Sequence, residues 1–275
     1  MTAQLLDEDL PKSRLGEGAF WDGRTSTFYW VDIEEKAVHA FHTETRNHQS
    51  WSVSKKVSFV LTSETGGLVL GLLDGIYDFD PTTGRETPVA LIELPHDHRL
   101  NDGKLDPQGR LWVGSINTSP EPSETAGLYV LRNNVLELFE SGFTNANGKA
   151  WSSDGTLMYH ADTGRSTIWV YDYDLERGVP SNKRVFLKKD GWSPDGLSMD
   201  REDRLLVAVF GGAALEMYSH RGDLIHSIEL PIPNVTSSDI ADGEIIITTA
   251  YDGMNDADRR RAPMSGAVFR APLPG

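Results

Sequence analysis

Asn147–Thr163 reads NGKAWSSDGTLMYHADT: a polar residue and a glycine, a short apolar stretch, a turn of Ser, Asp and Gly, then a strand-like aromatic and apolar run. The pattern recurs along the chain. Its other copies are GEGAFWDGRTSTFYWVDI from Gly16, VSFVLTSETGGLVLGL from Val57, NDGKLDPQGRLWVGSI from Asn101, DGLSMDREDRLLVAVFGG from Asp195 and SSDIADGEIIITTAYDG from Ser237. Their turns return about every 40 to 48 residues, the period of four-stranded propeller blades, because one such sheet cannot bury both faces until neighbours stack on it. Six copies predict an all-β, six-bladed β-propeller formed by residues 1–275 as a single domain.

Strand signals fit this ring. Phe28–Ile33, Leu111–Ile116, Met158–Ala161, Leu205–Phe210 and Ile245–Thr249 are aromatic or β-branched runs that each follow a turn. The sixth unit runs out of chain soon after Phe269 and lacks one strand, which Gln4–Leu10 is placed to supply, so that the N-terminal strand closes the ring and removes an open edge. No run of eighteen or more apolar residues is present to span a bilayer, and Met1–Lys12 has no basic start followed by an apolar run, so neither a membrane partner nor a secretory signal is expected.

The chain has no cysteine, which excludes disulfides and thiolate ligands and suits a cytoplasmic location. Its net charge of −15 argues against a nucleic-acid partner. The one basic cluster, Arg259–Arg261, reads as a solvated loop, with contact to an anionic substrate or partner as the alternative. His96-Asp97-His98 reads as loop structure rather than a ligand cluster, and no Gly-x-Ser-x-Gly nucleophile elbow exists.

The turns also carry a spacing. Glu17, Asn101, Asn147 and Asp195 each stand five positions before the hairpin entry at Asp22, Asp106, Ser152 and Asp200. In a propeller the innermost strands line the central channel, so equal offsets place these oxygen-bearing side chains at one depth around one axis. The remaining two units have small residues there, Ser58 and about Ser237. Asp and Asn beside Gly are also ordinary turn residues, but no turn requires Glu17. In the third unit the phase is open by one residue, since Gly103 aligns with Gly148 only if Asp102 rather than Asn101 matches Asn147. Hard oxygen donors with a net charge of about −2 suit one divalent metal ion, Ca²⁺, Mg²⁺ or Mn²⁺, with Zn²⁺ less favoured in the absence of His or Cys.

These stretches, together with LGEGAFWD at Leu15, RLNDGKLDPQGRLWVGS at Arg99, PDGLSMD at Pro194 and GAVF at Gly266, resemble the senescence marker protein, regucalcin and gluconolactonase group of six-bladed propellers in order and spacing over nearly the whole chain. The resemblance implies a metal held at Glu17, Asn147 and Asp195, substrate contacts at Arg99 and Asn101, and hydrolysis of a sugar-acid lactone. Asp195 is the candidate general base as well as ligand, and Asp102 is placed to hold Arg99 or receive a water. The chain departs from the group after Trp112-Val113-Gly114, where Glu121 is out of register by about two as a substrate-contacting acid. It departs again at Lys149, where an apolar residue is usual. Strand alternation puts Lys149 on the side of Asn147, where it either meets an extra anionic group on the substrate or lines a solvated flank. Two other readings of the same site are a calcium-binding regulatory protein without turnover and an arylester or phosphotriester hydrolase; a third is an interaction platform with no metal.

Overall fold

The computed structural model describes residues 2–63, 66–120 and 123–275. Each repeat unit forms a four-stranded antiparallel sheet, giving six sheets. The first runs outward through Gly16–Asp22, Thr27–Asp32, Ala37–His42 and Asn47–Ser52. The innermost strands of the next five are Val57–Thr62, His98–Leu105, Ala146–Trp151, Pro194–Met199 and Asn234–Ala241. Each innermost strand packs beside those of its two neighbours, and the sixth meets the first, so the ring is closed.

Stacking of blades is what buries the strands. One apolar cluster lies at each blade junction: Val31 and Val38 meet Val60 and Leu70 between the first and second, and Leu206 and Met217 meet Val235 and Ile247 between the fifth and sixth. Burial of such residues contributes roughly 1.5–3 kcal/mol each, which a lone sheet with one wet face would forgo. The junction between the second and third blades is filled by the Phe59 ring. A Cβ on Gly71 or Gly103 would lie 2.1 or 2.4 Å from that ring, so both positions have to be glycine.

The turn residues that marked the repeat are clamps. Asp106 Oδ1 accepts from the Gln108 and Arg110 amides and its Oδ2 from Arg110 Nε; Asp200 repeats this with Glu202 and Arg204, and Asp22 binds the Arg24 amide and guanidinium. These clamps close the C-terminal ends of their innermost strands, Gly16–Asp22, His98–Leu105 and Pro194–Met199.

The sixth sheet is completed from the N-terminus, but by Gln4–Leu5 alone, paired with Phe269 and Arg270, rather than by Gln4–Leu10. Leu6 and Leu10 leave the sheet and enter the core between the sixth and first blades. Arg259–Arg261 is not a loop. It ends a short helix, Asp256–Arg261, whose cap Asn255 accepts from the Ala257 and Asp258 amides. No helix among the described residues is long and apolar enough to cross a membrane.

Candidate functional site

Every innermost strand carries a β-bulge near its start. One extra residue is inserted between Glu17 and Phe20, Val57 and Phe59, Leu100 and Gly103, Ala146 and Lys149, Pro194 and Leu197, and Val235 and Ser237. A bulge bends the strand and re-aims its side chains, and here it does so at the same level in all six blades. Asn147 and Asp195 lie inside their bulges and Glu17 opens its own, so the sequence offset corresponds to a shared backbone device.

The register settles the phase of the third blade. Leu100 pairs with Ser115 as Ala146 pairs with Asp162, so Asn101 is the equivalent of Asn147 and Asp102 the equivalent of Gly148. In the sixth blade the inserted residue is Thr236, one before Ser237. The position after the site residue is Gly18, Gly148 and Gly196 in three blades. A Cβ there would lie 3.0 Å from Phe59 Cα, 2.3 Å from Leu197 N and 2.8 Å from Ser237 Cα, each in the next blade. Close inner-strand contact is thus built from missing side chains, and Asp102 is the exception that adds a carboxylate.

Electrostatics place four charged side chains in one field. Desolvation, then the charges of Asp195 and Asp102, holds the Glu17 carboxyl well above the usual carboxylate range, with Arg99 opposing. Desolvation and Asp102 likewise hold Asp195 well above it, against the Asn147 hydrogen bond and Arg99. Burial lowers the Arg99 guanidinium, and Glu17 and Asp195 are among the charges that oppose this. The two raised carboxyls, Glu17 and Asp195, thus share one buried arginine, Arg99, as an opposing charge.

Hydrogen bonds fix the neutral members. Asn147 Nδ2 donates to Asp195 Oδ1 and, at 3.0 Å, to Thr163 Oγ1, which leaves the amide oxygen available to a ligand. Thr163 Oγ1 in turn donates to the Pro194 carbonyl at 2.7 Å and ties the fourth blade to the fifth. Arg99 Nη1 donates to the Leu100 carbonyl and to Asn101 Oδ1 at 2.7 Å, while Asn101 Nδ2 donates to Asn145 Oδ1 at 2.8 Å. Asn101 is thus occupied in steering Arg99. Deeper in the channel, Lys104 reaches past the fourth blade to the Leu197 carbonyl at 2.9 Å.

Lys149 does not line a solvated flank. It is fully buried, and its ammonium donates to the carbonyls of Asp102 at 2.8 Å and Asn147 at 2.7 Å, with Asp102 Oδ1 at 3.9 Å. Burial pushes it down to about 8, with Asp102 opposing. Glu121 lies outside the described residues. His96 is a fully solvated side chain, and His98 begins the third inner strand with Nε2 against Thr125 Oγ1. Asn145 and Thr163 were not among the sequence candidates; Asn145 stands two residues before Asn147, and Thr163 ends the repeat with which the reading began.

No group of three or more His, Cys, Asp or Glu side chains able to hold a metal occurs among the described residues, so a metal here would need an amide oxygen beside the carboxylates. Two carboxylates and one amide oxygen remain, from Glu17, Asp195 and Asn147.

Residues 15–269 match the model of the SMP-30/Gluconolactonase/LRE-like region. Regucalcin of Danio rerio is 31% identical over 270 residues, covering 94% of this chain and 90% of its own. The putative sugar lactone lactonase YvrE of Bacillus subtilis is 31% identical over 271 residues, covering 94% and 91%. The crystal structure of regucalcin from Agrobacterium tumefaciens, described as a calcium-binding protein, superposes with a TM-score of 0.92 at 24% identity, over 98% of this chain and 92% of that one. Fold, repeat order and sequence agree, and the chain belongs to the SMP-30/gluconolactonase/LRE-like family.

Proposed function

We propose that this protein hydrolyses a sugar-acid lactone at the channel mouth with one divalent cation held by Glu17, Asn147 and Asp195. The observation that carries this reading is the Asn147–Asp195 hydrogen bond across the fourth and fifth innermost strands, which holds a buried carboxylate beside an amide with a free oxygen at the bulge level that Glu17 shares. The donor set is all oxygen, which fits Ca²⁺, Mg²⁺ or Mn²⁺. Bound there, such an ion supplies Lewis acidity toward the lactone carbonyl.

The remaining chemistry belongs to the chain. Asp195, the most enclosed carboxylate of the set, accepts the proton of the attacking water as general base. Arg99, held by Leu100 and Asn101, directs its remaining N–H groups at substrate hydroxyls in a fixed fork. Asp102, with a partly exposed side chain, takes a further hydroxyl or a water. Lys149 holds the Asp102 and Asn147 main chains in place and does not touch substrate. The similarity to a sugar lactone lactonase supports the substrate class.

The test is opening of a panel of aldonolactones, followed with a pH indicator, before and after chelation and on readdition of each cation. Cation-dependent turnover that Glu17→Gln removes is the expected result; lactones left intact under every cation refute it. A calcium-binding role without turnover is the second reading, favoured by the regucalcin relatives. Tight Ca²⁺ binding with no opening of any lactone selects it.

A further inference from the structure

The connection Tyr251–Val268 in the sixth blade carries the helix Asp256–Arg261 and folds over the segment that leads into Glu17. Tyr251 and Asp252 amides donate to the Arg14 carbonyl at 3.0 and 2.8 Å, the Ser13 amide to Gly266 O at 2.8 Å, and Lys12 Nζ to Pro263 O at 2.7 Å. Leu15, two residues before Glu17, bridges to Ala250. This overlap borders an open cavity of about 730 Å³ lined by Lys12, Tyr251, Asp256, Arg259, Arg260 and Ser265.

Its lining is basic in a chain whose net charge is −15. The three arginines of the helix are used differently. Arg261 pairs with Asp258 at 2.7 Å, away from the cavity. Arg259 lies over the Tyr251 ring, 4.5 Å from its centroid, which fixes the plane of its guanidinium. Arg260 forms no hydrogen bond or ion pair among the described residues. Ser265 also lines the cavity; it is only 4% exposed, and its buried Oγ has no hydrogen-bond partner. A buried hydroxyl without a partner is rare in native proteins, and this one belongs to the wall of a cavity rimmed by three cations and one carboxylate.

We propose that this cavity is a binding site for a phosphate group on a small molecule, separate from the cation site and independent of lactone hydrolysis. The Ser265 hydroxyl donates to a phosphate oxygen, Arg259 and Arg260 offer charge-assisted N–H groups, and Lys12 adds a point charge. Two full negative charges on the ligand outweigh the single carboxylate of Asp256. The overall acidity of the chain points to a small molecule rather than a nucleic acid.

The experiment is calorimetric titration of the full chain with inorganic phosphate at fixed ionic strength. One saturable site is expected. Arg260→Gln and Arg259→Gln each weaken it about tenfold, and the charge-neutral Ser265→Ala weakens it about fivefold without lowering the melting temperature of the phosphate-free protein. Arg177→Gln, on an exposed turn of the fourth blade, leaves the affinity unchanged. A second titration with a phosphorylated aldonate assigns the source: tighter binding than phosphate marks a sugar-borne group, equal binding a free anion. Absence of saturable binding for both ligands overturns the proposal, as does a Ser265→Ala variant that binds like the wild type or an Arg177→Gln variant that weakens as Arg260→Gln does.

Discussion

Gly148→Ala separates the geometry of the hub from its chemistry, because it adds one methyl and removes no functional group. The new Cβ would lie 2.3 Å from Leu197 N and 2.4 Å from Asp195 O, both main-chain atoms of the fifth blade, where ordinary contact begins at 3.4 Å. About 1.1 Å of separation between the fourth and fifth inner strands has to open, the difference between those two distances. Overpacking of this kind costs roughly 1–3 kcal/mol, and at about 2–4 °C per kcal/mol for a chain near this size the melting temperature falls by about 2 to 12 °C. The same displacement parts Asn147 from Asp195, and an error of about 1 Å in a catalytic arrangement costs about a hundredfold in rate. The control is Gly109→Ala, where φ is +80° and no atom lies within 4 Å of the added carbon. That variant carries backbone strain of about 1 kcal/mol but leaves the hub alone. Scanning calorimetry and initial rates on a responsive lactone, for both variants, give four numbers. Equal rate losses for the two, or a Gly148→Ala protein with wild-type stability and rate, would refute the claim that glycine contact between blades sets the site.

Glu17 and Asp195 have native proton affinities raised above their unfolded ones, so the folded state holds protons that the unfolded state has released. Cation-free stability should therefore fall as pH rises above the ordinary carboxylate range toward the raised native values, then level off. A saturating divalent ion should flatten or reverse that slope, and melting curves across pH in chelator and in Ca²⁺ check it; parallel curves would sink the idea. If Asp195 is the proposed general base and ligand, Asp195→Asn should lose at least about a hundredfold in turnover, with the far-UV spectrum intact. Arg204→Leu leaves Asp200, nearly inaccessible, without its guanidinium partner. It should cost about 3–5 kcal/mol in denaturant unfolding while the folded protein keeps its Michaelis constant for the proposed lactone hydrolysis. Lys149→Met strips donors from the Asp102 and Asn147 carbonyls. It should lower stability and the rate on charged and neutral lactones in the same proportion; a change in their ratio would restore a direct contact with substrate.

What the sequence made legible, and what it concealed, divide along one physical line. Asp106 and Asp200 bind backbone amides within four residues of themselves, so the turn is written locally and its period announces the blades. The candidates Glu17, Asn147 and Asp195 stood out by spacing because those turns are rigid: a fixed hairpin measures off a fixed distance to the bulge. The bulges themselves depend on pairing with the next strand, and no residue type marks them, so the choice between Asn101 and Asp102 stayed open until Leu100 was seen opposite Ser115. Lys149 shows the opposite failure. Alternation put it on the side of Asn147, but the bulge between Ala146 and Lys149 interrupts that alternation, and the ammonium instead binds the Asn147 and Asp102 main-chain carbonyls. Thr163 and Asn145 act through Asn147 and Asn101 across loops, so their role is a property of the assembled ring. At position 149 this chain places a fully buried cation. That cation sits beside the one blade whose glycine position is filled by aspartate. Lys149 and Asp102 are directly coupled: the lysine ammonium binds the Asp102 carbonyl and lies 3.9 Å from its carboxylate. The double variant Asp102→Gly with Lys149→Leu should therefore be more stable than the sum of the two single changes predicts.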